Sequence, residues 1–168
     1  MTDHTADGAP FRILNVIDEY SRVCIESYVA RSIGASRVRQ VLERLFATRG
    51  RPELIRSDNG REFIAETLGN WLAEHRVASA FVEKGSPQQN AFVERFNGSM
   101  RRECLNVEEF DSILEARVVI GEWRVEYNTV RPHRGLRGMT PAAFEAAERE
   151  RAPGSAGQTG GPRKKRGR

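Results

Sequence analysis

The sequence predicts an α/β fold, with a mixed β-sheet that carries helices on both faces. Three observations lead to this prediction. Two strand-like apolar segments follow one another near the start, an amphipathic helix comes next, and short strands then alternate with helices. A chain of 168 residues, 39% of them apolar, is also long enough to bury a core between such layers.

The first third of the chain is predicted to form a hairpin followed by a helix. Residues 1–10 are expected to be a loop. Phe11 to Ile17 and Val23 to Ala30 are apolar segments joined by a polar turn, which predicts two antiparallel strands. An amphipathic helix is predicted next, with Ser36 as its N-cap and Gly50 at its end.

The middle of the chain alternates strands and helices. Glu53 to Ser57 is predicted to be a short strand that leads into Asp58. Ile64, Leu68 and Trp71 share one side of the helix that follows, and Ser79 to Val82 completes the predicted sheet. These alternations indicate a sheet covered by helices.

Three further helices are predicted in the second half. A helix from about 90 to 105 places Glu94 and Arg101 on its polar face and apolar residues on the opposite face. A second runs from Ile113 to Tyr127, with Leu114 and Val118 expected among its apolar contacts. Thr140-Pro141 has the N-cap and N1 pattern that opens a last helix, up to about Glu148.

The charge is distributed unevenly, which suggests a division of the chain. The net charge of +4 arises from residues 151–168, which hold six basic and no acidic residues, whereas residues 1–150 have a net charge of −2. We therefore expect a core at 1–148 and a disordered basic tail at 149–168. The tail either adds salt-dependent affinity for nucleic acid or is a solvated end.

Two acids stand out. Asp58 ends a predicted strand, Glu94 lies on a predicted helix, and 35 residues separate them. A metal-dependent site acting on DNA phosphodiesters needs carboxylates brought together on rigid elements in this way. Structural interpretations also remain open: Asp58-Asn59-Gly60 is typical of an Asx turn, Glu94 is compatible with a solvated helix face, and Arg101 with a charge that offsets the helix dipole.

Several motifs together resemble the integrase-core transposases of bacterial insertion sequences, specifically the second-frame product of the family that uses two overlapping reading frames. The resemblance covers about residues 3–147 and is specific because four separate motifs agree in order and spacing. The matching segments are Leu14 to Arg22, Arg56 to Gly60, Ser86 to Gly98, and Tyr127-Asn128 through His133 with Leu136 and Thr140-Pro141.

The resemblance implies a ribonuclease H-like fold, DNA cleavage and strand transfer by an Asp-Asp-Glu triad, and Mg²⁺ or Mn²⁺ as cofactor. Asp58 would be the second acid and Glu94 the third, and Arg101 falls where the family places a basic DNA-contacting residue. In and after the loop that precedes Glu94, we expect Lys84, Gln88 and Asn90 to contact DNA.

The sequence departs from the family at the first acid. Asp3 and Asp7-Gly8 match the end of the family's first strand, so the first catalytic Asp would lie just upstream of Met1, and the first strand is expected to be largely missing. Asp18 matches a different family position and is better explained as a turn residue. Either the start codon lies upstream or the chain is a truncated relic, which would act only as a DNA-binding or subunit-interaction fragment.

The expected partners follow from the same resemblance. They are the ends of an insertion element, the target DNA and further copies of the chain assembled on DNA. No signal-peptide pattern and no run of about 18 apolar residues occurs, so we expect a cytoplasmic bacterial protein that does not enter a membrane. Two cysteines, Cys24 and Cys104, suggest neither a disulfide framework nor a zinc site.

Overall fold

The strands of the described residues form two sheets of different size. The computed structural model describes residues 1–82 and 91–151. The strands are β1 (Thr2–His4), β2 (Pro10–Ile17), β3 (Cys24–Ala30), β4 (Leu54–Ser57) and β5 (Ala78–Phe81). The α-helices are α1 (Ala35–Arg49), α2 (Glu66–Glu74), α3 (Ala91–Met100), α4 (Ile113–Thr129) and α5 (Pro141–Arg151). A π-helical turn at Arg101–Leu105 continues α3, and a short 3₁₀ turn occupies Arg134–Leu136.

The larger sheet is antiparallel, in the order β1-β2-β3, and the smaller sheet pairs β4 with β5 in parallel. The predicted hairpin is confirmed, with Ile13 opposite Val29. The loop predicted at residues 1–10 is wrong for β1, because Asp3 pairs with Phe11 and adds a third strand. Among the described residues, the outer edges of β1 and β4 have no strand partner.

Helices cover both faces, as the sequence predicts. On one face, Phe11 and Ile13 of β2 pack against α3 and α4 through Phe96, Met100 and Ile120, all of them nearly inaccessible to solvent. On the other face, α1 and α2 form a second core below the end of β3. Its buried members are Ala30, Ile33, Val38, Leu42, Leu68, Trp71, Leu72 and Val77.

Alternation along β2 explains the two cores. Phe11 and Ile13 point to the first core, while Leu14 packs against the second, as the two-residue repeat of a strand requires. Asn128 joins α4 to β3: its side-chain amide donates to the carbonyl of Cys24 at 2.9 Å and accepts from the Cys24 amide, also at 2.9 Å. None of the described helices is long and apolar enough to cross a membrane.

Some local predictions need correction. The first helix begins at Ala35 with Gly34 as its N-cap, so Ser36 is inside the helix. Ile64 lies ahead of α2 and is 55% exposed. Leu114 and Val118 are 66% and 59% exposed, because the buried side of α4 consists of Ala116, Ile120 and Tyr127 instead. The last helix extends to Arg151, past the expected core boundary.

Candidate active site

Asp58 lies at the carboxyl end of β4, in a turn held by hydrogen bonds. Its Oδ1 accepts a hydrogen bond from the Gly60 amide at 3.0 Å, which is the Asx turn suggested by the sequence. The Asn59 side chain donates to the Val82 carbonyl at 2.8 Å, just beyond the end of β5. Asp58 is exposed, and Oδ2 accepts no hydrogen bond from the described residues. The turn thus occupies one carboxylate oxygen and presents the other to solvent.

Gly60 is the position at which the turn tolerates least change. A Cβ atom built there would lie 2.9 Å from Asp58 Oδ1 and 3.2 Å from Glu62 Oε2. The two carboxylates therefore flank the same glycine, and a side chain would push on both. Lack of a side chain at residue 60 is what leaves room for the Asp58 and Glu62 carboxylates beside the turn.

Glu62 links this turn to the larger sheet. Its Oε1 accepts a hydrogen bond from Arg12 of β2 at 2.6 Å, and the Glu62 side chain is only 14% exposed. Burial and the charge of Arg12 lower the pKa of the Met1 amino group, whereas the Asp58 and Glu62 carboxylates act in the opposite direction. The start of β1, Arg12, Asp58 and Glu62 consequently form one charged neighbourhood between the two sheets.

Glu94 lies in the first turn of α3 and is exposed. Its side chain makes no hydrogen bond or ion pair with the described residues. A negative charge at a helix N-terminus interacts favourably with the helix dipole. Phe96 and Met100, on the opposite side of α3, hold the helix on the sheet with 1% and 0% exposure, so Glu94 projects from a firmly packed element.

The polar row that begins at Glu94 crosses the larger sheet. Asn97, one turn later, accepts a hydrogen bond through Oδ1 from the Asn15 amide of β2 at 2.8 Å. Arg101, one further turn along, donates to Asp3 Oδ2 at 2.8 Å and to the Thr2 carbonyl at 2.6 Å. The predicted face of α3 therefore exists, but in this structure its basic end is engaged with β1.

A basic cluster that no sequence pattern indicates forms where the start of α3 meets the hairpin turn and the loop after α4. The Arg22 guanidinium sits 3.3 Å from the centre of the Phe92 ring in the first turn of α3. Burial lowers the pKa of His133, and the charges of Arg131, Arg22 and Arg95 lower it further, so three positive charges act on one imidazole. Residues so far apart along the chain show no common sequence pattern, and only the packing of α3 on the hairpin turn unites them.

The described residues contain part of the predicted site. Lys84, Gln88 and Asn90 lie outside the described residues. Asp58 and Glu94 occupy a strand end and a helix start as predicted, and both offer exposed oxygen donors of the kind Mg²⁺ prefers. Within the two described segments, no group of three or more His, Cys, Asp or Glu side chains is close enough to hold a metal ion.

Asp18 lies in the hairpin turn between β2 and β3. Its Oδ2 accepts a hydrogen bond from Ser21 Oγ at 2.5 Å.

Two family models, both described as an integrase core domain, match residues 1–87 and 75–141. An uncharacterised protein of insertion element IS476 from Xanthomonas euvesicatoria is 37% identical over 144 residues, covering 86% of this chain and 42% of the relative. An uncharacterised IS407 protein from Burkholderia multivorans is 35% identical and covers 89% and 54%. The putative IS150 transposase InsK of Escherichia coli is 27% identical and covers 86% and 52%. The chain spans about half the length of these relatives.

Solved structures share the fold. A chain of the simian T-cell lymphotropic virus intasome in complex with PP2A regulatory subunit B56 gamma aligns with a TM-score of 0.71 at 15% identity, covering 86% of this chain and 51% of that chain. The HTLV-2 integrase catalytic core domain in complex with magnesium (dimeric form) aligns with a TM-score of 0.63 at 13% identity, covering 86% and 90%. These likenesses confirm the predicted ribonuclease H-like α/β fold.

Proposed function

This chain belongs to the integrase core domain family, and from that membership we propose that it is the catalytic core of an insertion-sequence transposase, which cuts and joins DNA. The observation that best supports this proposal is the placement of Asp58 and Glu94. They stand at a strand end and a helix start, joined to the same sheet by Arg12–Glu62 on one side and Asn15–Asn97 on the other.

The cofactor is proposed from chemistry and from the relatives. Exposed carboxylate oxygens on rigid elements suit a divalent ion that keeps several water ligands. We propose that Asp58 and Glu94 bind Mg²⁺ or Mn²⁺, and the magnesium-bound HTLV-2 integrase core is a relative in fold that agrees with this choice. When bound, such ions stabilise negative charge on the attacking and leaving oxygens of a phosphodiester.

The protein's own groups prepare that site. The Gly60 amide and the Asn59–Val82 hydrogen bond restrict the Asp58 carboxylate to one orientation, with Oδ2 toward solvent. Phe96 and Met100 immobilise the helix that carries Glu94. Arg22, Arg95 and Arg131 provide positive charge around His133 and the start of α3, and guanidinium groups can hold DNA phosphates. Lys84, Gln88, Asn90 and Arg101 remain proposed DNA contacts, and Arg101 would have to leave Asp3 to make one.

The proposed partners are element-end DNA, target DNA and further copies of the chain. The charges of Asp58 and Glu62 act on the Met1 amino group, so the start of β1 lies in the same charged neighbourhood as Asp58. The triad implied by the resemblance needs a third acid beside Asp58 and Glu94, and an extended chain tests whether one adjoins β1. The experiment accordingly uses both the 168-residue chain and a chain extended by the residues encoded upstream.

The test is a strand-joining assay with Mg²⁺ and DNA that carries an element end. Asp58→Asn and Glu94→Gln should each lower activity by at least about a thousandfold. Matched controls are Asp111→Asn and Glu109→Gln, which change exposed acids outside the site and should leave activity intact. Activity that survives either site substitution would overturn the assignment of that acid.

The absence of a three-acid group among the described residues favours a second candidate, a catalytically inactive chain that only binds DNA or other subunits. If neither the chain nor the extended chain joins strands, while both bind DNA in a salt-titrated anisotropy measurement, this second function replaces the first. Activity restored by the extension alone supports the catalytic proposal and the upstream acid together.

A further inference from the structure

Glu62 is a largely buried acid in the turn that follows Asp58. It lies between β4 and α2, and its side chain is only 14% exposed. Its Oε1 accepts the hydrogen bond from Arg12 at 2.6 Å, whereas its Oε2 accepts none from the residues that the structure describes. Removing a carboxylate from water is costly unless its charge is offset and its oxygens find partners. Glu62 therefore has one satisfied oxygen and one that can take a further partner.

Arg12 fixes the direction of this carboxylate. It stands in the central strand of the larger sheet, where it pairs with Thr2 of β1 on one side and Ala30 of β3 on the other. Its guanidinium donates to the Ile33 carbonyl at 3.4 Å through Nη1 and to Glu62 through Nη2. An arginine held by its backbone and by both terminal nitrogens is a well-oriented donor. The larger sheet, and not only the local turn, thus sets the position of the Glu62 carboxylate.

The free oxygen of Glu62 lies in the same small region as the Asp58 carboxylate. Glu62 Oε2 is 3.2 Å and Asp58 Oδ1 is 2.9 Å from the Cβ position at Gly60. Two negative charges placed in this way repel each other. Arg12 offsets one of them, and the Met1 amino group, whose pKa burial lowers, lies in the same neighbourhood. A divalent cation at Asp58 would offset the repulsion between the two carboxylates.

The chemistry of Mg²⁺ gives the free oxygen a use. The ion usually binds one or two carboxylates and keeps several of its water molecules. Groups that accept hydrogen bonds from these waters, without touching the ion, orient the site, and replacing them typically lowers metal affinity by about 10–100-fold. A carboxylate is well suited to this task, because hydrogen bonds to a charged acceptor are stronger than those to a neutral one. Glu62 Oε2 is a carboxylate oxygen of this kind beside Asp58.

We propose that Glu62 is a positioning residue for the divalent ion at Asp58. Arg12 orients the Glu62 carboxylate, and Oε2 accepts a hydrogen bond from a water molecule that the ion retains. This inference rests on the proposed function, since it assumes that Asp58 binds the ion. The Arg12–Glu62 pair consequently has two roles: it joins the smaller sheet to the larger one, and it places a negative charge where the ion needs one.

The first test measures metal binding without DNA. Mn²⁺ broadens the NMR signals of nearby amides, so titration of the 168-residue chain gives a dissociation constant at the Gly60 amide. Glu62→Gln should raise that constant by about tenfold, and Asp58→Asn should abolish the local broadening. The matched control is Glu66→Gln, which removes the same charge from an exposed acid at the start of α2 and should change the constant by less than about twofold. The dispersion of the same spectra shows that each variant is folded.

The outcomes separate this inference from the function on which it rests. Equal dissociation constants for the wild type and Glu62→Gln would overturn the role of Glu62 and leave the proposed function standing. A wild-type chain without broadening at the turn up to about 10 mM Mn²⁺ would also overturn it. Binding that survives Asp58→Asn would overturn the metal assignment of the proposed function, and this inference with it.

The second test exchanges the two charges. Arg12→Glu combined with Glu62→Arg rebuilds an ion pair between the sheets but places a positive charge beside Asp58. Each single substitution should lower the midpoint of urea unfolding, and the exchange should recover most of that loss. Mn²⁺ affinity of the exchanged chain should stay at least about tenfold below that of the wild type, because the acceptor oxygen is gone. If the exchange restores Mn²⁺ affinity as well, Glu62 acts only by joining the sheets and the proposal is wrong.

Discussion

The two halves of the candidate site are built in different ways. Asp58 is positioned by a local turn, in which the Gly60 amide and the Asn59 side chain act within a few residues or across one strand pair. Glu94 is positioned by tertiary packing, through Phe96 in the larger core and Asn97 on β2, whose partner Asn15 is 82 residues away. The orientation of Asp58 should therefore be insensitive to substitutions in the core, whereas the orientation of Glu94 should be sensitive to them.

This difference matters for how the site assembles. The sheets that carry the two halves share no strand pair among the described residues, so the Arg12–Glu62 ion pair and the packing of α1 and α2 below β3 join them. A short loop can set the direction in which the Asp58 carboxylate points. Only the packed core can set the distance between the Asp58 and Glu94 carboxylates.

The largest effect is expected from the core beneath Glu94. Phe96 is 1% exposed and makes edge-to-face contacts with Trp123 at 5.4 Å and Tyr127 at 4.8 Å. Phe96→Ala should lower the free energy of unfolding by about 3–5 kcal/mol in urea titration. Phe81→Ala, in the smaller sheet, should lower it by less than about 1.5 kcal/mol, since Phe81 is 44% exposed. Equal losses would remove the contrast between the two regions.

A substitution in the turn that holds Asp58 should change strand-joining activity more than the free energy of unfolding. Gly60→Ala places a methyl group against the Asp58 and Glu62 carboxylates and should lower strand-joining activity by about a hundredfold. Unfolding free energy should change by less than about 1 kcal/mol. The control is Gly69→Ala in α2, where, apart from its own helix, no atom of the described residues lies within 4 Å of the new Cβ, and full activity is expected. Unchanged activity in Gly60→Ala would show that the turn does not orient Asp58.

The amide pair between α3 and β2 should have an intermediate effect. The Oδ1 atom of Asn15 is buried without a hydrogen-bond partner, and Asn97→Ala would leave the Asn15 side-chain nitrogen with only the sulfur atoms of Met1 and Met100 as acceptors. We expect a loss of about 1–3 kcal/mol in unfolding free energy. The Asn15→Ala and Asn97→Ala losses should not add in the double variant, because both remove one contact. Strict additivity in a urea-unfolding cycle would contradict the pairing.

The smallest expected effect is the contribution of His133 to the pH dependence of folding stability. Burial, followed by the charges of Arg131, Arg22 and Arg95, lowers the pKa of His133 from its ordinary value of 6.5. Below pH 6.5 the unfolded chain therefore binds more protons than the folded chain, and stability falls as pH drops toward the folded pKa. Replacing this residue, as in His133→Phe, should reduce the stability difference between about pH 7.5 and about pH 5.5. An unchanged difference would exclude His133 as its source.

The elements that carry Asp58 and Glu94 were predictable, because short sequence patterns around each residue specify them. Asp58-Asn59-Gly60 is a turn by composition, and the structure has that turn. The 3.6-residue repeat after residue 90 predicts a helix with Glu94 on its polar face, and α3 agrees. The contact of Arg101 with Asp3 was not predictable, because 98 residues separate the two and no periodic pattern connects them.

What the sequence determined by itself was therefore the hairpin of β2 and β3, the helices and the two motifs that carry Asp58 and Glu94, since each depends on neighbours within a few residues. Only the tertiary structure decided which of two apolar rows α4 buries. Ala116 and Ile120 form one row and Leu114 and Val118 the other, and both satisfy the helical repeat. It also decided that Thr2–His4 becomes a strand, because the exposed edge of β2 supplies the hydrogen bonds. Periodicity specifies an element, but the surfaces available at long range select the face that it buries.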